Sequence, residues 1–140
     1  MVVSAFLEPI IYTMQIQQIS HNQILPLIAA AKRDGVTIRE SDTIFAARED
    51  CGIVAIGCVR FVGKRRARIC GAWTVPKMRG NGYGRALVEH RLNKIEESGR
   101  RIVDTFAFNP KLYVSLGFEP KRSYKIGTTW CVKDYDLFRS

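Results

Sequence analysis

Residues 73–88 read "WTVPKMRGNGYGRALV". Three glycines (Gly80, Gly82, Gly84) alternate with other residues behind Arg79. The run before them, "ARICGAWTV" (67–75), is rich in strand-forming residues. After them, Leu87, Val88, Leu92 and Ile95 recur at helical spacing, and Gly99 closes the run. "RIVDTFAF" (101–108) follows, dense in β-branched and aromatic residues, and reads as a strand. Strand, helix and strand in this order form a βαβ unit and therefore a parallel pair.

Upstream, residues 14–19 alternate apolar and polar and predict a strand. Ser20 with Gln23 forms a capping box for a helix that runs to about Arg33 and stops at Gly35. Pro26 fits only near its first turn. "TIFAAR" (43–48) and "IVAIGCVRFV" (53–62) read as a hairpin around "EDCG". Downstream, "PKLYVSL" predicts a short helix ending at Gly117, and strand-like runs follow around 123–127 and 129–137. The order is β-α-β-β-β-α-β-α-β-β. It predicts an α/β (α+β) domain over residues 1–140 with a mixed, mostly antiparallel twisted sheet, a central parallel βαβ unit and flanking helices. Residues 1–13 read as an extension, either an extra strand or a homodimer contact, because "MQIQQIS" from Met14 reads as the natural start of the first strand.

The chain has 140 residues, 46% of them hydrophobic, enough for one folded core and too apolar for a disordered chain. No apolar run approaches the ~18 residues of a membrane span, and "MVVSAFLEPIIYT" lacks the basic start of a leader peptide. The four cysteines show no C-x-x-C spacing, and only His21 and His90 could join them, which argues against zinc. Free thiols in a reducing cytoplasm fit better. The net charge of +9 attracts anions, either nucleic acid, acidic protein or a phosphorylated cofactor. No aromatic-interleaved basic patch or helix-turn-helix signature selects nucleic acid.

A strand, a glycine turn and a helix N-terminus together make an anion site, because unpaired N–H groups and the helix dipole face a backbone with no Cβ in the way. Two familiar versions fail: the glycine spacing is not G-x-G-x-x-G, and no G-K-[ST] follows. "TVPKMRGNGYGRAL" instead resembles the acetyl-CoA-binding core of the GNAT superfamily of acyltransferases, R/Q-x-x-G-x-G/A, with Arg79, Gly82 and Gly84 at its fixed positions and Pro76 three before the arginine. "LYVSLGF" (112–118) is similar to the family's closing L-Y-x-x-x-G-F motif. The resemblance covers roughly residues 14–137.

This resemblance implies an N-acetyltransferase with acetyl-CoA as co-substrate and no metal. Trp73, Thr74 and Val75 would splay from their neighbour and pair with pantetheine, with a backbone N–H near Val75 as oxyanion donor. Backbone N–H groups around Arg79, Gly80, Asn81, Gly82, Tyr83, Gly84 and Arg85 would hold the pyrophosphate. An acceptor amine attacks directly, and Tyr113 protonates the leaving thiolate. Asn109 stands four residues before Tyr113, closer than the family's usual asparagine, and is a pantetheine contact. No carboxylate lies on 67–75, which leaves Asp104 as the acid of the motif region to serve as base, with Glu40 and Asp42 bordering the acceptor. Cys70 reads as inert core, and Trp73 and Trp130 as aromatic core or pocket lining. The acceptor is an amine of a small molecule or a macromolecule; like charges disfavour a small polycation. Two other readings stand beside this one: a CoA-binding sensor without turnover, and a nucleic-acid-directed protein on the same fold.

Overall fold

The computed structural model describes residues 14–137, so the expectation for residues 1–13 lies outside the described residues. Seven strands form one sheet: β1 (Gln15–Ile19), β2 (Thr43–Glu49), β3 (Gly52–Val62), β4 (Arg66–Thr74), β5 (Ile102–Ala107), β6 (Glu119–Ser123) and β7 (Thr129–Asp134). Their order is β1-β2-β3-β4-β5-β7-β6. Only β4 and β5 are parallel; the other neighbours are antiparallel. The helices are α1 (Leu25–Arg33), α2 (Tyr83–Glu97) and α3 (Lys111–Ser115). This is the mixed α/β sheet that the order of elements predicts.

Both faces of the sheet centre are covered, which explains why β2 and β3 are continuously apolar rather than alternating. Phe45, Ala47, Val59, Ile69 and Val103 pack beneath Leu87, Val88, Leu92 and Ile95 of α2, with Tyr113 of α3 and the following Leu116 against them. On the other face, Ile44, Ala46, Ile56 and Cys58 pack with Ile24 and Ala31 around α1. Cys58 and Cys131 are buried free thiols, whereas Cys51, in the β2–β3 turn, is exposed.

Two predicted elements differ in detail. Residues 21–33 are a 3-10 turn (His21–Ile24) followed by α1, and Pro26 sits in the first turn of α1, where its missing N–H costs nothing. The strand expected at 123–127 lies instead at Glu119–Ser123, and Tyr124–Thr128 is the turn. Every residue of β6 is exposed. No hydrophobic period marks it; its pairing to β7 makes it a strand, and Pro120 with its charges suits a sheet edge.

Candidate acetyl-CoA site

The loop before α2 leaves backbone N–H groups open at a helix start. Gly80 and Gly82 adopt φ of +82° and +84°, the left-handed region that glycine enters freely. Gly82 is the N-cap of α2, no side chain caps it, and the first turn holds no acidic residue. The opening N–H groups of a 15-residue helix are thus left for another acceptor. Gly84 is different. It has ordinary helical φ, and a Cβ there would meet nothing. Alanine would be favoured at such a position by roughly 0.5–1 kcal/mol, so the chain's own packing does not require this glycine. Asn81 shapes the loop by donating from Nδ2 to the Met78 carbonyl at 2.9 Å. Arg79 braces it, donating to the Thr74 carbonyl (3.0 Å) and to Asp34 (3.4 Å).

β4 and β5 part company beside this loop. They pair only from Arg66↔Ile102 to Arg68↔Asp104. At the fork, the Thr105 hydroxyl donates to the Ile69 carbonyl at 3.0 Å. Beyond it β4 stays on β3 as far as Thr74↔Ala55, and β5 stays on β7 as far as Ala107↔Thr129. Each strand therefore keeps its outer partner and turns an open edge to the gap. A bulge drives the divergence: Gly57 of β3 faces two residues of β4, Gly71 and Ala72, and Gly71 has φ of +64°.

Two cavities occupy the gap. One of about 590 Å³ is lined from the α1 face by Arg39, Arg60 and Arg68 and reaches Asn109 and Tyr113 on the opposite side. The other, about 330 Å³, runs along Ala72–Thr74 to Arg79, Gly84 and Arg91. Together they join the uncapped helix end to Tyr113 and connect the two faces of the sheet.

Most of the sequence-derived residues gather here, though several play parts other than those expected. Val75 is the clearest correction: its N–H is spent on the Val54 carbonyl at 2.9 Å and cannot polarise a thioester. Strand alternation turns the Thr74 peptide the other way, into the gap. Trp73 is buried on the α1 face and donates from its indole to Asp34 at 2.8 Å. Tyr83 also turns inward; its hydroxyl donates to Glu49 at 2.6 Å, and this bond, with burial, pushes its pKa up to about 12. Only its backbone faces the anion site. Arg85 is exposed and paired with Glu89. The Asn109 side-chain oxygen accepts from the Lys111 N–H at 3.3 Å at the start of α3. Tyr113 is half-buried, packed edge-on against Phe118 with ring centroids 5.4 Å apart.

Asp104 is heavily engaged. Arg68 donates to both its oxygens at 2.9 Å, and the Trp130 indole adds a third bond at 3.1 Å. Burial alone would raise its pKa; Arg68 and Trp130 outweigh burial and hold it below 3.8. Asp42 is likewise buried, and it is held low against burial by Arg60 and the Arg39 N–H. Glu40 is exposed. Burial pushes the Cys70 thiol up, as suits an inert strand cysteine. Because both aspartates titrate below their unfolded value in the folded protein, they stabilise it above about pH 4 and that contribution is lost as pH falls through their folded values. Urea unfolding is expected to show stability dropping between about pH 5 and pH 2, with a shallower drop in Asp104→Asn.

Arg91 is absent from the sequence-derived set. It is fully buried in α2. Its Nη1 donates to the carbonyls of Cys58 (3.0 Å) and Cys70 (3.2 Å), and its Nε to that of Leu87 (3.1 Å). Nη2 has no partner among the described residues, and the residue lines the smaller cavity. A Cβ on Gly57 would stand 2.6 Å from its Cζ, so that glycine makes its room. The signal was present in the sequence: Arg91 falls midway between Leu87 and Ile95 on the apolar stripe, where a solvated charge has no place.

Residues 40–120, more than half of the chain, match the Acetyltransferase (GNAT) domain family. The chain belongs to the GNAT acetyltransferase family. Solved structures share the fold of this GNAT domain at low identity. N-acetylglutamate synthase from Neisseria gonorrhoeae, complexed with coenzyme A and L-arginine, superposes with a TM-score of 0.70 at 16% identity over 87% of this chain and 33% of that one. A GNAT family acetyltransferase from Elizabethkingia anophelis with acetyl-CoA bound gives 0.67 at 14% identity, covering 87% and 98% of the two chains. The ribosomal-protein-S18-alanine N-acetyltransferase from Escherichia coli gives 0.68 at 17%, covering 85% and 90%. The GNAT domain described here thus spans about a third of the Neisseria synthase. No curated protein matches it by sequence. Among the described residues no helix is long and apolar enough to cross a membrane, and no group of side chains suits a metal ion.

Proposed function

We propose that this GNAT domain binds acetyl-CoA in the β4–β5 gap and passes the acetyl group to an amine by direct attack. One observation carries the reading: two open strand edges run toward an uncapped, glycine-lined helix N-terminus. Pantetheine has peptide-like amides that can pair with an open edge as an added strand does, and the N–H groups from Gly80 to Arg85 suit a pyrophosphate. Glycine at position 84, which internal packing does not require, is accounted for by a ligand at the first turn of α2.

In this reading the peptides of the Gly71–Ala72 bulge and of Thr74, not Val75, supply the donor to the thioester oxygen. A neutral amine entering past Arg60 and Arg68 forms the C–N bond, the C–S bond breaks, and the Tyr113 hydroxyl gives its proton to the departing sulfur. Tyr113 recovers a proton from water, and the amine releases one to it. Asp104, with three hydrogen bonds on its carboxylate, acts in this scheme as the buttress that orients Arg68 rather than as the base. That engagement also favours a second reading, a CoA-binding module without turnover, because among the described residues no carboxylate lines the larger cavity.

Acetyl-CoA titration with a thiol-release assay over an amine panel separates the two. Binding with turnover supports transfer; tight binding with no release on any amine supports the module; no binding defeats both. Gly82→Ala is expected to lose about 1–2 kcal/mol of stability from forcing φ of +84° on alanine, and to raise the acetyl-CoA Kd about tenfold or more. Gly84→Ala, by contrast, is expected to raise the melting temperature.

A further inference from the structure

The larger cavity carries a feature that acetyl transfer alone does not require. Three arginines line it, and no carboxylate does among the described residues. Arg60 and Arg68 are each clamped side-on: Nε and Nη2 of Arg60 bind the two oxygens of Asp42 at 2.8 and 3.0 Å, and those of Arg68 bind Asp104, both at 2.9 Å. A side-on fork leaves Nη1 of each guanidinium, with its two protons, unused by the carboxylate. Neither Nη1 has a hydrogen-bond partner among the described residues. The Arg68 guanidinium is held further by the Phe106 ring, whose centroid lies 4.9 Å from its Cζ. These are rigid donors with little entropy left to lose. Arg39, on the α1–β2 connection, is exposed; its backbone N–H binds Asp42, and its guanidinium forms no ion pair among the described residues. It adds a free positive charge to the cavity wall.

The cavity has an apolar rim as well. Phe106 and Phe108 line it and are 45% and 77% exposed; Tyr124 packs on Phe106 with centroids 5.9 Å apart. Aromatic rings at this exposure beside fixed guanidiniums match a ligand with an apolar group and an oxyanion. A volume of about 590 Å³ is that of a small-molecule site.

We propose that the acceptor is a small amine that carries its own oxyanion, a carboxylate or phosphate held by Arg39, Arg60 and Arg68, next to an apolar or aromatic group that covers Phe106 and Phe108. A free amino acid with an aromatic side chain is the simplest molecule of this class. Polycationic amines are excluded from it by the same three arginines. The inference rests on the acetyltransferase reading, and its failure is distinguishable from the failure of that reading.

The test compares matched acceptors with acetyl-CoA: L-phenylalanine, its carboxamide, phenethylamine, phosphoethanolamine and spermidine. The expected result is a kcat/KM for phenylalanine about 10–100-fold above that of its carboxamide and of phenethylamine, the loss typical of a charge-assisted hydrogen-bond partner, and no turnover of spermidine. Turnover of phosphoethanolamine above phenethylamine would identify phosphate, rather than carboxylate, as the anion. Arg39→Gln is expected to raise the KM for the preferred anionic acceptor about tenfold while leaving the acetyl-CoA Kd unchanged. It keeps the backbone N–H bond to Asp42 and breaks no ion pair, so the fold survives it. Calorimetry with CoA present gives the same test without turnover: N-acetyl-L-phenylalanine should bind and its carboxamide should not. Equal use of the acid and amide, preference for spermidine, or binding of neither product overturns the proposal. If another amine is acetylated instead, the transferase reading stands while this inference falls; if acetyl-CoA itself does not bind, the transferase reading falls.

Discussion

Replacing Tyr113 by phenylalanine is expected to lower kcat by about 10²–10⁴-fold with little change in acetyl-CoA affinity or melting temperature. The reasoning is local. The ring of Tyr113 packs against Phe118, and phenylalanine preserves that contact. Only the hydroxyl is lost, and with it the proton for a departing thiolate. Other polar groups of the cavity are poor replacements. The Thr105 hydroxyl is already donated to the Ile69 carbonyl, burial holds the Cys70 proton more tightly than in a free thiol, and the Asn109 oxygen caps α3. Steady-state kinetics with a turned-over amine, together with acetyl-CoA titration of the variant, make the measurement. An unchanged kcat would remove Tyr113 as the acid and leave water as the donor. A large rise in the acetyl-CoA Kd would instead make its role one of binding.

The largest stability effect is expected at Arg91. Arg91→Ala should cost about 3–5 kcal/mol, read by urea or thermal unfolding. Two losses combine. A fully buried long side chain leaves a hole beneath Gly57, which has no side chain of its own to fill it. The Cys58 and Cys70 carbonyls, next to the bulge, also lose their arginine donor. An opposing term sharpens the test. No carboxylate among the described residues compensates this guanidinium; burial lowers its pKa, and the groups that resist this are Tyr113, Cys58 and Cys70. Burying such a charge is expensive, so Arg91→Met, which fills the space without charge, should recover much of what alanine loses. An alanine variant within about 1 kcal/mol of the native protein would contradict this account. If methionine restores stability but transfer remains slow, the unpartnered Nη2 serves the bound donor rather than the fold.

Legibility followed the range of the interactions involved. The glycine loop was readable because its chemistry is local: positive φ at Gly80 and Gly82, a helix beginning at Tyr83 and a strand ending at Thr74 all lie within a few residues. The order of elements was readable for a similar reason, since β-branched runs and helical spacing repeat over short windows. β6 was not. "EPKRS" has no apolar period and becomes a strand only because β7 lies beside it. The engagement of the Val75 N–H is not legible in the sequence because its partner, Val54, lies on another strand, and hydrogen-bond direction follows from register. Asp104 showed in the sequence as a lone acid on a strand. Its fork to Arg68 exists because parallel pairing puts those two residues side by side at the last rung before the strands diverge.

The sequence by itself determined the class of the domain, its family and the glycine loop proposed to hold a phosphorylated donor. Those properties reside in backbone preferences and short motifs that each segment carries wherever it is placed. The tertiary structure alone decided which peptide groups remain free, which charges are already paired and which face the cavity. Arg60 and Asp42 are separated by 18 residues in sequence, and Arg68 and Asp104 by 36. Only the closed sheet brings them together, and only then does the cavity acquire a wall of fixed arginine donors that no carboxylate opposes among the described residues.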